Sequence, residues 1–275
     1  MTANEKANIA SFLDLAGDYL SGGFKRPREG YAFADDQAET KSAADVESLP
    51  ELSAVPETTE HSAAGEGDSL DVVTAEIASC TRCGLCSTRT NTVPGEGVRR
   101  PLVMVIGEGP GADEDETGRP FVGRAGQLLD RMLNSKGRIG LSRSSNCFIA
   151  NIVKCRPPGN RNPQPDEITA CIPFLVRQIK ILKPRVILAA GNTAVKTLLD
   201  STEGITRLRG IFTYFQGTLL MDGEFNIPLL PTFHPSAVLR DESLKAPVWE
   251  DMKTLRARLC ELDGEYAARM ADVPL

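Results

Sequence analysis

No apolar run in the 275 residues approaches the ~20 that a membrane helix requires, so a helical membrane span is excluded. The chain does not open on a basic segment followed by an apolar core, so no secretory leader is expected and the protein reads as cytoplasmic. No internal repeat recurs, which sets aside repeat architectures. Histidine is scarce: His61 and His234 are the only two, and His61 lies in an acidic stretch as a solvated bystander. The run Gly107-Glu-Gly-Pro-Gly111 lacks the third glycine of a dinucleotide fingerprint, which falls one residue later. Glu108, Asp113, Glu114, Asp115 and Glu116 also bring more negative charge there than a phosphate cradle tolerates. Nucleotide binding is therefore not expected.

What the chain does contain is divided unevenly. Residues 1–75 carry 5 Lys/Arg against 15 Asp/Glu, whereas residues 76–275 carry 26 against 22. A mildly basic remainder permits contact with a phosphate backbone without proving it. In residues 1–20, Ile9, Phe12, Leu13, Ala16 and Leu20 form the stripe of an amphipathic helix, a candidate for binding a protein partner. Residues 21–69 are rich in Ala, Ser, Asp, Glu and Pro and read as an acidic disordered linker. The folded domain is expected over 70–265, followed by a tail at 266–275.

Within that domain strands alternate with helices. Helix 70–79 precedes a strand at Leu102–Ile106, which is continuously apolar as a strand covered on both faces would be. A glycine-rich acidic loop leaves its carboxyl end, where open α/β sheets hold ligands. A helix at 126–136 follows, with Leu128, Leu129, Met132 and Leu133 on its buried face. Further strands are expected at Cys147–Val153, Arg185–Ala190 and Ile227–Pro231, with a hairpin through Phe215 and Leu220. Helices are expected to about Leu182, to Asp200 and over 247–262, and Pro173 should kink the first of these or mark its start. This alternation predicts a parallel α/β sheet covered on both faces.

Seven cysteines in a reducing compartment argue for ligation rather than disulfides. Cys80 and Cys83 form a CxxC pair, and Cys155 and Cys171 flank a segment rich in Pro and Arg. Four thiolates suit structural zinc and an iron–sulfur cluster equally. Cys86 extends the run to CxxCxxC, whereas Cys147 and Cys260 read as small buried hydrophobes.

The residues Gly107–Gly111, Thr117-Gly-Arg-Pro-Phe-Val-Gly-Arg-Ala-Gly126, Asn151-Ile-Val-Lys-Cys-Arg-Pro-Pro158 and His234-Pro-Ser236 resemble the family 4 uracil-DNA glycosylases. The resemblance covers roughly residues 75–262, in order, and includes the four cysteines. It implies a three-layer α/β/α sandwich around a four-stranded parallel sheet, and a 4Fe-4S cluster on Cys80, Cys83, Cys155 and Cys171. It implies a monofunctional enzyme that releases uracil from DNA, single- or double-stranded, as a monomer, with the cluster structural. Two alternatives remain open at this level: covalent capture of uracil-DNA through the histidine, and a non-catalytic iron–sulfur binding module.

The chemistry sets separate demands. A target base is flipped into a pocket, stacked on an aromatic face and read along its Watson–Crick edge. By resemblance Phe121 stacks and Asn151 reads, its planar amide offering a donor and an acceptor to uracil O4 and N3–H. Gly109 is expected to line the pocket because a side chain there would meet the base. His234 is the expected donor to uracil O2, where negative charge develops. Glu108 and Glu114 are the carboxylates expected to orient water or steady the cationic sugar. Ser236, Leu239 and Arg240 are expected to meet DNA, the last two as the wedge behind the flipped base. Lys154, Arg156 and Arg161 are candidate phosphate contacts.

Overall fold

The computed structural model describes residues 68–216 and 226–275. The expected N-terminal helix and residues 21–67 of the expected linker lie outside them. Asp68 and Ser69, placed in that linker by the sequence, belong to the domain. The Ser69 hydroxyl caps α1 (Leu70–Ala78) by accepting from the Val72 N–H. Asp68 and Glu76 both pair with Arg177 of α4 (Pro165–Leu182), which anchors the start of the domain.

Six strands form one sheet in the order β1-β3-β2-β4-β6-β5. Its centre is parallel: β3 (Cys147–Asn151), β2 (Val103–Gly107), β4 (Val186–Ala190) and β6 (Asn226–Thr232). These are the four strands expected from their apolar runs, and every residue of β2, β3 and β4 is buried. Two short antiparallel strands flank them, β1 (Glu96–Gly97) on β3 and β5 (Thr213–Gln216) on β6. Phe215 of the expected hairpin lies on β5, which pairs antiparallel with β6, whereas Leu220 lies outside the described residues. Neither edge carries the long apolar run that betrays a central strand. In the register of β2 and β3, Gly107 stands opposite Asn151.

Alternation along the strands sorts the core into two layers. Met104, Ile106, Ile187 and Ala189 face α1, α4 and α5 (Asn192–Leu199). Val103, Val105, Val186 and Leu188 face α3 (Arg124–Asn134), α8 (Lys245–Leu262) and α9 (Gly264–Met270). The described domain is therefore a three-layer α/β/α sandwich.

Three expectations change. The acidic loop after β2 contains a helix, α2 (Ala112–Thr117), entered at Gly111 and left through Gly118 at φ +69°. Pro173 lies inside α4 and does not start it. Residues 266–270 are no tail, since α9 buries Tyr266 and Met270 against the sheet and the Tyr266 hydroxyl donates to the Ile139 carbonyl. No described helix is long and apolar enough to cross a membrane.

Candidate active site

The carboxyl ends of the four parallel strands meet at one cleft. β2 delivers Glu108 and Gly109, β3 ends on Asn151, β4 runs into Gly191, and β6 leads through Phe233 to His234. Phe121, Glu114, Ser236 and Arg240 line the same cleft. All of the sequence-predicted site residues except Leu239, Lys154, Arg156 and the cysteines are therefore brought together. Leu239 stands nearby on α7 (Pro235–Arg240), 38% exposed, an unusual exposure for a large apolar residue in this domain.

Asn151 is the best-defined member. It is 1% exposed, and among the described residues its Oδ1 is the one buried side-chain oxygen or nitrogen without a hydrogen-bond partner. Buried polar atoms are almost always satisfied, and an orphan at a cleft calls for a ligand that donates. Gly107, first of the glycines that open the loop after β2, stands opposite it. A Cβ there would stand 2.5 Å from Phe121 Cζ and 2.6 Å from Asn151 Oδ1, so only glycine lets the ring and the amide meet at the strand ends. At Gly109, also on the cleft wall, a Cβ would stand 2.8 Å from Val153 Cγ2 and 3.7 Å from Pro157 Cδ.

Phe121 is 5% exposed and holds φ +53°, a left-handed conformation that bulky residues avoid. Its ring centroid lies 5.6 Å from that of His234, with the planes 36° apart. His234 caps α7, its Nδ1 accepting from the Ser236 N–H at 3.2 Å and lying 2.8 Å from the Ser236 hydroxyl. A ring nitrogen that accepts carries no proton, so the neutral imidazole keeps its hydrogen on Nε2. Burial, helped by the charge of Arg240, pushes the imidazole pKa down to about 4. Gly191, at φ +92°, admits His234, whose Cβ would lie 2.8 Å from a Cβ at that position. Ser236, expected on DNA, is thus bonded to His234, and its hydroxyl also accepts from Arg240 Nη1 at 3.4 Å.

The two glutamates differ. Glu114 Oε1 accepts from the Val122 and Gly123 N–H groups, both at 2.8 Å, and its Oε2 accepts from the Gly111 N–H at 3.0 Å. Glu108 Oε2 accepts a short hydrogen bond from the Thr193 hydroxyl in the first turn of α5. Thr193 was not anticipated, although a Gly-Asn-Thr opening a helix at a strand's carboxyl end is where such a residue belongs.

Lys154 is corrected outright. It is 1% exposed, donating through Nζ to the Asn151 carbonyl at 2.9 Å and to Gln178 Oε1 at 2.7 Å, so it meets no phosphate. Burial lowers its pKa to about 8. Arg161 forks onto Glu167, and Arg156 donates to Asn160 Oδ1.

A second, smaller cleft gathers Cys80, Cys83, Cys86, Cys155 and Cys171. Burial raises the Cys155 and Cys83 thiols and takes Cys171 to about 11. Donors already face two of the sulfurs: Arg89 Nη1 lies 3.2 Å from Cys155 Sγ, and the Lys154 N–H lies 3.2 Å from Cys171 Sγ. Among the described residues no three Cys, His, Asp or Glu side chains stand close enough to enclose one metal ion. A single zinc needs its four thiolates about 2.3 Å from one centre. A cluster attaches each thiolate to a different iron and accepts a wider spread. Cys147 is buried in β3, as expected of a small hydrophobe, its thiol pushed up to about 12 by burial. Cys260 packs partly buried on the core.

Comparison with known proteins adds a family. Residues 94–253 match the model of the uracil DNA glycosylase superfamily. The chain is 43% identical to the Type-4 uracil-DNA glycosylase of Sulfurisphaera tokodaii, over 69% of this chain and 84% of the relative. It is 44% identical to that of Pyrobaculum aerophilum, over 64% and 87%. To that of Thermotoga maritima it is 42% identical, over 68% and 93%.

Proposed function

Because the chain belongs to the Type-4 uracil-DNA glycosylases of the uracil DNA glycosylase superfamily, we propose a division of labour among its cleft residues. The protein is a hydrolase that releases uracil from DNA and leaves an abasic site. The observation that carries the site reading is the orphaned Oδ1 of Asn151. Uracil N3–H supplies the missing donor, and the amide Nδ2 in turn donates to uracil O4. Cytosine presents an unprotonated N3 and an amino group, the opposite pattern, and leaves the amide unpaired.

Phe121 stacks on the flipped base. His234 donates from Nε2 to uracil O2, where charge grows as the N-glycosidic bond breaks. Glu108 faces the sugar, steadying its developing positive charge and orienting the attacking water. Glu114, with three backbone N–H groups on its carboxylate, shapes the wall that carries Phe121. Leu239 and Arg240 fill the gap behind the flipped nucleotide, and Ser236 acts through His234. The protein works as a monomer on DNA, and its N-terminal segment is available to a protein partner.

The direct test is release of free uracil from a U:G duplex by the purified full chain, beside Glu108→Gln and Glu114→Gln. Wild type releases uracil and Glu108→Gln is slower by about 10²-fold in kcat, as for loss of one charge-stabilising group. A DNA adduct that survives denaturation, or binding without release, would replace hydrolysis by capture or by a binding role.

Cys80, Cys83, Cys155 and Cys171 are the thiols proposed to hold a 4Fe-4S cluster. When bound it supplies a cross-link between the start of the domain and the loop after β3. The soft donor set and the N–H groups aimed at Cys155 and Cys171 support this. Cys171→Ser is expected to drop iron from about four per chain to under half of that and to lower the melting temperature. Cys86→Ser keeps its iron. The reverse result, by iron and sulfide assay, would move Cys86 into the ligand set.

A further inference from the structure

We infer that Arg143 is a positioning residue for base stacking, acting through the backbone of Phe121. The inference rests on the uracil-site reading above, in which Phe121 carries the base. Arg143 sits in the loop between α3 and β3, where neither its sequence neighbours nor its spacing marks it. Its Nη1 donates to the Pro120 carbonyl and its Nη2 to the Phe121 carbonyl, both at 2.9 Å. The guanidinium is aimed from behind by Asp130, at 2.9 to 3.2 Å, and by Glu96 at 3.8 Å. It is 15% exposed, which shields the arrangement from water.

The opposite side of the same segment is held as well. Glu114 takes the N–H groups of Val122 and Gly123, so residues 120–123 have two carbonyls on one charged group and two amides on another. Gly126 closes the remaining side, since a Cβ there would lie 1.8 Å from the Phe121 carbonyl oxygen. This clamp explains how an aromatic residue remains at φ +53°, a strained conformation that persists only where its surroundings impose it. The planar fork spans the two carbonyls with two separate nitrogens held in fixed geometry, which the single ammonium nitrogen of a lysine does not reproduce. Freed from Arg143, Phe121 returns to an ordinary backbone conformation and its ring leaves the end of β2.

Stacking acts on the flipped base before and during bond cleavage, so its loss is uniform binding and appears in KM rather than kcat. The experiment compares wild type, Arg143→Lys, Phe121→Ala and the double variant as full-length, iron-loaded protein. It reads KM and kcat on a uracil-containing duplex, affinity for free uracil by calorimetry, and melting temperature. Arg143→Lys is expected to weaken KM and uracil affinity together by about tenfold, with kcat within about threefold. In the Phe121→Ala background the same substitution changes them less than about twofold, because the ring it positions is gone. A lower melting temperature with both constants unmoved would overturn the inference, as would a full tenfold effect without the ring. If Arg143→Lys does not fold, Asp130→Asn loosens the guanidinium from outside. A shift of about threefold in the same two constants supports the inference, and no shift overturns it. Wild type that binds uracil and releases none would overturn the hydrolase reading alone, because uracil affinity still reports on Arg143.

Discussion

Asn151→Ala is expected to lower kcat/KM for uracil release by about 10³-fold while the melting temperature barely moves. Two buried contacts vanish, and uracil O4 and N3–H are left without partners in a site closed to water. At about 1–3 kcal/mol each, that amounts to a factor of roughly 30 to more than 10⁴. Stability behaves differently. In the free protein Asn151 Oδ1 is already a desolvated acceptor without a partner, so its removal relieves one penalty while the lost amide opens a small void. The two effects oppose each other. Steady-state kinetics and a thermal melt on the same preparation check both halves, and a rate loss under tenfold would remove Asn151 from the reading of the base.

His234→Ala is expected to reduce kcat by about 10²–10³-fold with little change in KM, the pattern for a donor whose bond strengthens as charge develops. The imidazole acts neutral. With its pKa near 4, kcat should show no limb from this residue between about pH 5 and 8. A limb near 6.5 that disappears in the variant would mean that a protonated ring is required. The same depression makes a stability statement. The unfolded chain binds a proton at this histidine below about pH 6.5 and the folded protein does not until about pH 4. The contribution, about 3 kcal/mol, is therefore full above pH 6.5 and is lost as pH falls toward 4. Melting curves of wild type and His234→Ala should converge through that window.

The strands and helices of the central sandwich were legible because each carries its own pattern. Residues 103–107 and 186–190 are unbroken apolar runs, and α3 shows its buried stripe in Leu129, Met132 and Leu133. The site was legible only where short motifs carry a resemblance, at Glu108, Phe121, Asn151 and His234. What escaped depends on partners distant in the chain. Lys154 sits among Arg156 and Arg161 like a surface cation, yet Gln178, 24 residues on, takes its ammonium inside. Glu114 looks like its acidic neighbours, and only the return of residues 122 and 123 gives it a different task. α2 was hidden by the glycines that cap it at both ends. Arg143 had no local signal at all.

The pairing of Gly107 with Asn151 at the last positions of β2 and β3 bears on how the protein behaves when heated. The ladder continues past the pair, with the Ile152 N–H on the Gly107 carbonyl at 2.9 Å. An amide anchored there moves only when buried parallel strands part, an opening whose free energy approaches that of global unfolding. Its backbone protons should thus be among the slowest to exchange with solvent. Discrimination between uracil and cytosine then does not soften gradually as temperature rises. It holds until the sheet itself gives way, so that a partly heated enzyme becomes scarcer without becoming careless.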